Sequence, residues 1–274
     1  MNTGGFVRHE VSGVPFFSCS ALERLPRVRH AFSTRLGGCS ALPHGALNLG
    51  AVPWDGIDAV RENRRRFLAA AGLGPFQLAT LSQIHSDRVH MIVDLPREEN
   101  ARPEGDALVT TRGSVVLAVQ VADCFPVLIA GAECGAVAAV HAGWRGTALR
   151  ILPKTLACMQ REWGMDPADA LAAIGPGIRG CCFEVGPEVL ARFHAEFPGA
   201  ELYAPSPCSR SNAMLDLPRA LRIQLLEAGV REANIHDLEL CTRCNTREFF
   251  SYRGEGARTG RMMGAIARTG GIVG

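Results

Sequence analysis

No apolar run in the 274-residue chain approaches the length of a membrane span, so a helical membrane anchor is not expected. The first residues, MNTGGFVRHEVSG, lack the charged-then-apolar order of a secretory signal. Fixed-period repeats and low-complexity linkers are missing too, apart from a Pro/Ser-rich loop at APSPCSRSNA. That leaves one domain rather than an array. Charge of one sign is scarce: the net charge is +2, so there is no concentrated basic face to recruit nucleic acid or an anionic membrane. The densest basic cluster, Arg61 to Arg66, reads as the solvated side of a helix. With 47% hydrophobic and 20% charged residues, extended disorder is excluded, and the length allows a substantial core.

Cysteine is abundant by contrast, with ten in the chain. Without a secretory signal they point to a reducing, cytoplasmic setting in which most thiols are buried and inert. The CxxC at Cys241 and Cys244 could be half of a four-cysteine zinc site or a redox pair. Its partners would be Cys181 and Cys182, which are adjacent rather than spaced, so reduced thiols in or near the core are expected instead.

The stretch Val115 to Thr147 organises the rest. It reads as two β-branched apolar runs joined by a turn at Gly131 to Gly135, broken at Cys124 and at His141 by residues suited to chemistry. Upstream, the alternating run FQLATLSQIH delivers His85 to the mouth of a strand, and His90 falls on the opposite face. Helices are expected over residues 58–72, 147–163 (starting late or kinked at Pro153), 186–197 and 216–228. A strand, loop and strand are expected over His30 to Gly50, and a short strand around FFSYRGEG.

His85, Cys124 and His141 supply two imidazoles and a thiolate from three segments, 39 and 17 residues apart. Three ligands with an open fourth position is the catalytic zinc pattern, and such spacings suit neighbouring strand ends rather than a compact finger. Two His and a Cys also describe a blue-copper site. A multicopper oxidase would need paired His-x-His ligands, and the eight histidines include no such pair. A metal-free reading stays open: Cys124 as nucleophile, His141 as base, and Asp123 as a weaker orienting candidate because it would point away along a strand. The Gly-rich segment after Arg35 is either an anion contact or an exposed hairpin turn. HAE at His194 followed by Pro207-Cys208 imitates a nucleobase-deaminase signature, but Ser211 replaces its second cysteine and the match is chance.

The ordered motifs QIHSDRV, GDALVTT, VADCFPVLIA, VAAVHAGWRGT, IGPGIRGCCFEVG and CTRCNTREFFSYRGEGARTGR resemble the YfiH-type laccase-domain family, also called polyphenol oxidase or purine nucleoside phosphorylase proteins. The resemblance runs from about Phe32 to Met263. It implies a single α/β (α+β) domain over residues 1–274, with mixed sheets sandwiched between helices, similar to the cysteine deamidase toxins; residues 1–25 would be its N-terminal extension. It further implies a zinc ion, with copper possible, on His85, Cys124 and His141. The implied activities are phosphorolysis of adenosine, inosine and methylthioadenosine and deamination of adenosine. The alternatives are a cysteine-type hydrolase editing a peptidoglycan precursor (a UDP-MurNAc-amino acid) and a copper-dependent polyphenol oxidase. Ser86 departs from the glycine common in that family after the histidine. For nucleoside and phosphate, Arg35 and Arg145 are the expected anion contacts, with Asn48 bonding ribose or base.

Overall fold

Between Val115 and Val121 the side chains alternate between two separate cores, Leu117, Val119 and Val121 into one, Val116 and Ala118 into the other. The strand is therefore apolar on both faces and must lie between layers. The computed structural model describes residues 5–41, 45–94 and 102–270. In chain order it has β1 (Phe6–Val11), β2 (Val14–Cys19), α1 (Ser20–Glu23), β3 (Val28–Ser33) and α2 (Ile57–Ala70). Then come β4 (Gln77–Ala79), β5 (Val89–Met91), β6 (Ala107–Thr110), β7 (Val115–Val121), β8 (Phe125–Gly131) and β9 (Val137–Ala142). The helices α3 (Trp144–Ala148) and α4 (Ile151–Trp163) lead to β10 (Ala170–Ile174), β11 (Glu184–Val185) and α5 (Pro187–Glu196). Last are β12 (Tyr203–Pro205), β13 (Ala213–Leu215), α6 (Leu217–Glu227), β14 (Ile235–Asp237), α7 (Tyr252–Glu255) and β15 (Met262–Arg268).

One six-stranded sheet has the order β1-β2-β3-β15-β7-β4, a second β14-β10-β8-β9-β6-β5, and β11-β13-β12 form a small third. The two large sheets pack face to face through Leu117 and Ile266 of the first and Leu108, Leu128 and Ala139 of the second. Phe67 and Leu68 of α2 cover the outer face of the first sheet. Leu152 and Leu156 of α4, Phe193 of α5 and Leu221 of α6 cover the outer face of the second. Mixed sheets between helices are thus found as the family resemblance implied, here in four layers, with β1 and β2 continuing the first sheet. Among the described residues no helix is long and apolar enough to cross a membrane.

Four local expectations change. The run before Gly131 is two strands, not one: β7 ends in the first sheet and β8 begins in the second. The predicted helix over 147–163 is split by Arg150, whose φ of 63° is left-handed, so Pro153 falls in the first turn of α4, where its missing N–H costs nothing. FFSYRGEG forms a helical turn at α7, and the strand comes later, at β15. The strand expected after the loop in 30–50 reduces to an isolated bridge between Ser40 and Ala46, and part of that loop lies outside the described residues.

Between the hairpin and β15, His30 is a buried group with a pH signature. Its Nε2 accepts the Cys19 N–H at 2.7 Å, and burial holds the imidazole at about 4. A free histidine titrates near 6.5, so between those values the unfolded chain binds a proton that the folded one refuses. Stability therefore falls as the pH drops through this window, by about 2 kcal/mol on going from about pH 7.5 to about pH 5. Chemical denaturation of His30→Gln at both values should show that part of the loss removed; an unchanged loss would reject the assignment.

Candidate metal centre

The crossover from the first sheet to the second takes three residues, Ala122 to Cys124, and it is bent hard. Asp123 has φ +87°, a left-handed conformation that a non-glycine residue keeps only when its surroundings hold it there. Here Thr242 Oγ1 donates to Asp123 Oδ1 at 2.6 Å, the Arg253 N–H to Oδ2 at 2.6 Å, and the Ile178 N–H to its carbonyl at 2.8 Å. The crossover so fixed presents Cys124 beside the end of β9, where His141 sits opposite Pro126 of the neighbouring strand. His85 arrives on a loop rather than a strand, with φ +58°. The ligand atoms of His85, Cys124 and His141 all lie within 4.8 Å of one another. The two imidazoles meet edge to face, centroids 4.9 Å apart. Gly143 in the HAGWRG motif is required by this crowding, since a Cβ there would stand 2.9 Å from Cys124 Sγ.

Beneath the trio lies Asp106, fully buried at the start of β6. Its Oδ1 accepts from His141 Nδ1 at 2.8 Å and from the His85 N–H at 3.0 Å, and its Oδ2 accepts from the N–H and hydroxyl of Ser86 at 2.5 and 2.7 Å. One carboxylate thus fixes the tautomer of one ligand and the backbone of another, leaving His141 Nε2 free to face Cys124. It escaped sequence reading because nothing in GDALVTT marks an aspartate 35 residues from His141 as its partner. Asp123, the orienting candidate, serves the crossover instead. His90 bonds the Glu104 carbonyl at 2.7 Å, away from the trio.

Burial pushes the Cys124 thiol up, but the imidazolium charge of His141 and hydrogen bonds from His141 and His85 outweigh it and bring the thiol down to about 6. Burial pulls His141 down, and the Cys124 thiolate with Asp106 raises it to about 9. Asp106, despite burial, is held at about 2 by its bonds from His141 and Ser86. Without an ion the trio is a thiolate–imidazolium pair braced by a carboxylate. Its donor chemistry, a thiolate and two imidazoles with a carboxylate behind one of them, fits a borderline divalent ion such as zinc or copper.

The trio opens into a cavity of about 480 Å³, walled by Phe183, Tyr252, Arg253 and Arg261. That is within the range of small-molecule sites, roughly 300–1,000 Å³. A smaller recess on the other side of His85 is lined by Trp144, Arg145 and Arg192, with Arg145 stacked 4.5 Å from the Trp144 ring. Arg35 and Asn48 stand outside both. Arg35 directs Nη1 to the carbonyls of Thr246 and Phe249 and to Glu255 at 2.8 Å, with its guanidinium over the face of Phe250. Asn48 makes all four of its side-chain bonds to Gly50, Asp55 and the Arg261 N–H. Both brace the segment that carries Arg253 and Arg261. Those two arginines lie within the motif CTRCNTREFFSYRGEGARTGR, which carried the family resemblance but not their place at the cavity. The cysteines are free thiols as expected, but Cys181 and Cys244 are exposed, and Cys181, Cys182, Cys241 and Cys244 bring their four sulfurs within 4.8 Å of one another.

Fold and site together define a four-layer α/β protein with a His₂Cys centre at the floor of an arginine-walled cavity. The chain belongs to the family described as multi-copper polyphenol oxidoreductase laccase, whose match spans residues 29–269. It is 40% identical over 240 residues to a purine nucleoside phosphorylase of Deinococcus radiodurans, covering 87% of this chain and 88% of the relative. It is 37% identical to the purine nucleoside phosphorylase YfiH of Escherichia coli, covering 85% and 91%. The crystal structure of YlmD from Geobacillus stearothermophilus superposes with a TM-score of 0.88 at 31% identity, over 97% of this chain and 100% of that one.

Proposed function

We propose that this chain is a zinc-dependent purine nucleoside phosphorylase, converting adenosine, inosine or methylthioadenosine with phosphate to free base and sugar 1-phosphate. The observation that carries this reading is the His₂Cys trio opening into a cavity walled by two arginines, in a chain whose relatives bear that name. His85, Cys124 and His141 would hold the ion, which when bound supplies a Lewis acid at the cavity floor. Arg253 and Arg261 offer planar forks for phosphate, while Phe183 and Tyr252 offer faces to a purine. Arg145 lines the separate recess beside His85. None of the residues lining the cavity is a methionine, the usual weak axial ligand of a blue-copper centre, which favours zinc. Thiolate ligands and ten reduced cysteines suit the cytoplasm.

A second reading, a cysteine hydrolase, is favoured by one specific feature: the thiolate–imidazolium pair braced by Asp106 has the form of an activated nucleophile. Chromatography of adenosine and inosine incubations separates the two. Phosphorolysis predicts that free base appears only with phosphate, stops with chelator and returns with zinc; ammonia release from adenosine alone measures the implied deamination. Turnover that ignores both phosphate and chelator but dies on alkylation would replace the phosphorylase with the hydrolase.

A further inference from the structure

The turn after β10 and the loop after β14 hold a second cluster that the trio does not use. Its sulfurs come from Cys181, Cys182, Cys241 and Cys244, all within 4.8 Å of one another, with Cys181 Sγ 3.6 Å and Cys182 Sγ 3.4 Å from Cys244 Sγ. Four sulfurs around one tetrahedral zinc, each about 2.3 Å from it, stand about 3.8 Å apart. A disulfide would instead need about 2.05 Å. We propose that these four cysteines bind a second, structural zinc ion as a closed tetrathiolate, distinct from the open His₂Cys centre.

The adjacency of Cys181 and Cys182 argues against such a site only if they lie on a strand, where successive side chains diverge. They lie on a turn, in which the N–H groups of Cys182 and Phe183 both donate to the Arg179 carbonyl. Across from it, Cys241 is buried. The two loops are already knitted by the bridge between Gly177 and Cys241 and by the paired bonds of Arg179 to Asp237, at 2.9 and 2.8 Å. A closed four-sulfur shell has no open position for substrate, so its work is mechanical. Ile178 and Phe183 on one loop line the cavity, and Thr242 on the other holds the strained Asp123 beside Cys124. An ion there would clamp the cavity wall to the crossover that positions the Cys124 thiol.

Metal analysis of the purified full chain, of Cys124→Ser and of the double variant Cys181→Ser/Cys244→Ser tests this. The double variant should bind one zinc fewer than the parent, and Cys124→Ser should retain the clamp ion whatever happens at the His₂Cys centre. Cobalt-loaded Cys124→Ser should show the intense bands of a tetrahedral tetrathiolate, absent from the double variant. Should the double variant fold poorly, titration of the parent with an organomercurial gives the same answer, because zinc release must accompany reaction of these four thiols. Equal zinc in parent and double variant, or modification of all four thiols without zinc release, overturns the proposal. Loss of phosphorolysis with an intact tetrathiolate spectrum would refute the proposed activity alone.

Discussion

Cys124→Ala protein should emerge from gel filtration without an ion at the His85–His141 centre and with phosphorolysis lowered by at least about a hundredfold. A structural zinc site of four ligands is worth about 10–16 kcal/mol, so one donor in such a set contributes on the order of 3 kcal/mol. At about 1.4 kcal/mol per decade, that loss lowers affinity more than a hundredfold. The fold should survive, because the thiol is only partly buried and lines a cavity rather than filling a core. Circular dichroism and the denaturation midpoint should therefore stay near those of the parent while metal and activity disappear together. Activity that survives with the ion gone would mean that the ion does not serve the reaction, and activity lost with the ion fully retained would point to the thiolate as nucleophile.

The trio was legible in the sequence because each member interrupts a pattern. Cys124 breaks an apolar run, His141 ends one, and His85 follows an alternating stretch. The four-layer arrangement was legible as a family resemblance, and its local cause is the double-faced apolarity of β7 and β8. What sequence could not show is where a strand leaves one sheet for another. The crossover at Asp123 depends on partners 55 to 130 residues away, Ile178, Thr242 and Arg253, none of them adjacent in pattern. The arginines illustrate the same limit. Arg35 carries the glycine-flanked look of an anion contact, yet it is buried against Glu255 and Phe250 away from the cavity, whereas Arg253 and Arg261, each with Nη1 on backbone carbonyls, line the cavity. Residue type can be read along a chain, but which arginine faces the cavity depends on the fold.

Asp106→Asn tests how much of the centre is held from behind. The carboxylate is fully buried and accepts four hydrogen bonds through two oxygens. An amide of the same shape keeps one acceptor and turns the other into a donor. Placed at the Oδ1 position, the NH₂ would face the His85 N–H and oppose the protonated His141 Nδ1. Placed at the Oδ2 position, it would face the Ser86 N–H, while the Ser86 hydroxyl can turn to accept. The second orientation is cheaper, since it keeps the His141 tautomer, but it leaves one buried N–H unpaired and removes the charge that braces the imidazole. An unsatisfied buried group and a lost charge-assisted bond together cost about 2–4 kcal/mol of stability. Loss of a carboxylate behind a metal-bound histidine lowers metal affinity by about 10–100-fold. Asp106→Asn should therefore lose its ion at chelator concentrations the parent withstands and regain activity when zinc is supplied in excess, whereas Cys124→Ala should not be rescued at the same concentration. Competition against a chromophoric chelator reads the first effect, and urea denaturation reads the second. A variant with parental affinity and stability would show that the carboxylate is a bystander and that His141 is positioned by its strand alone.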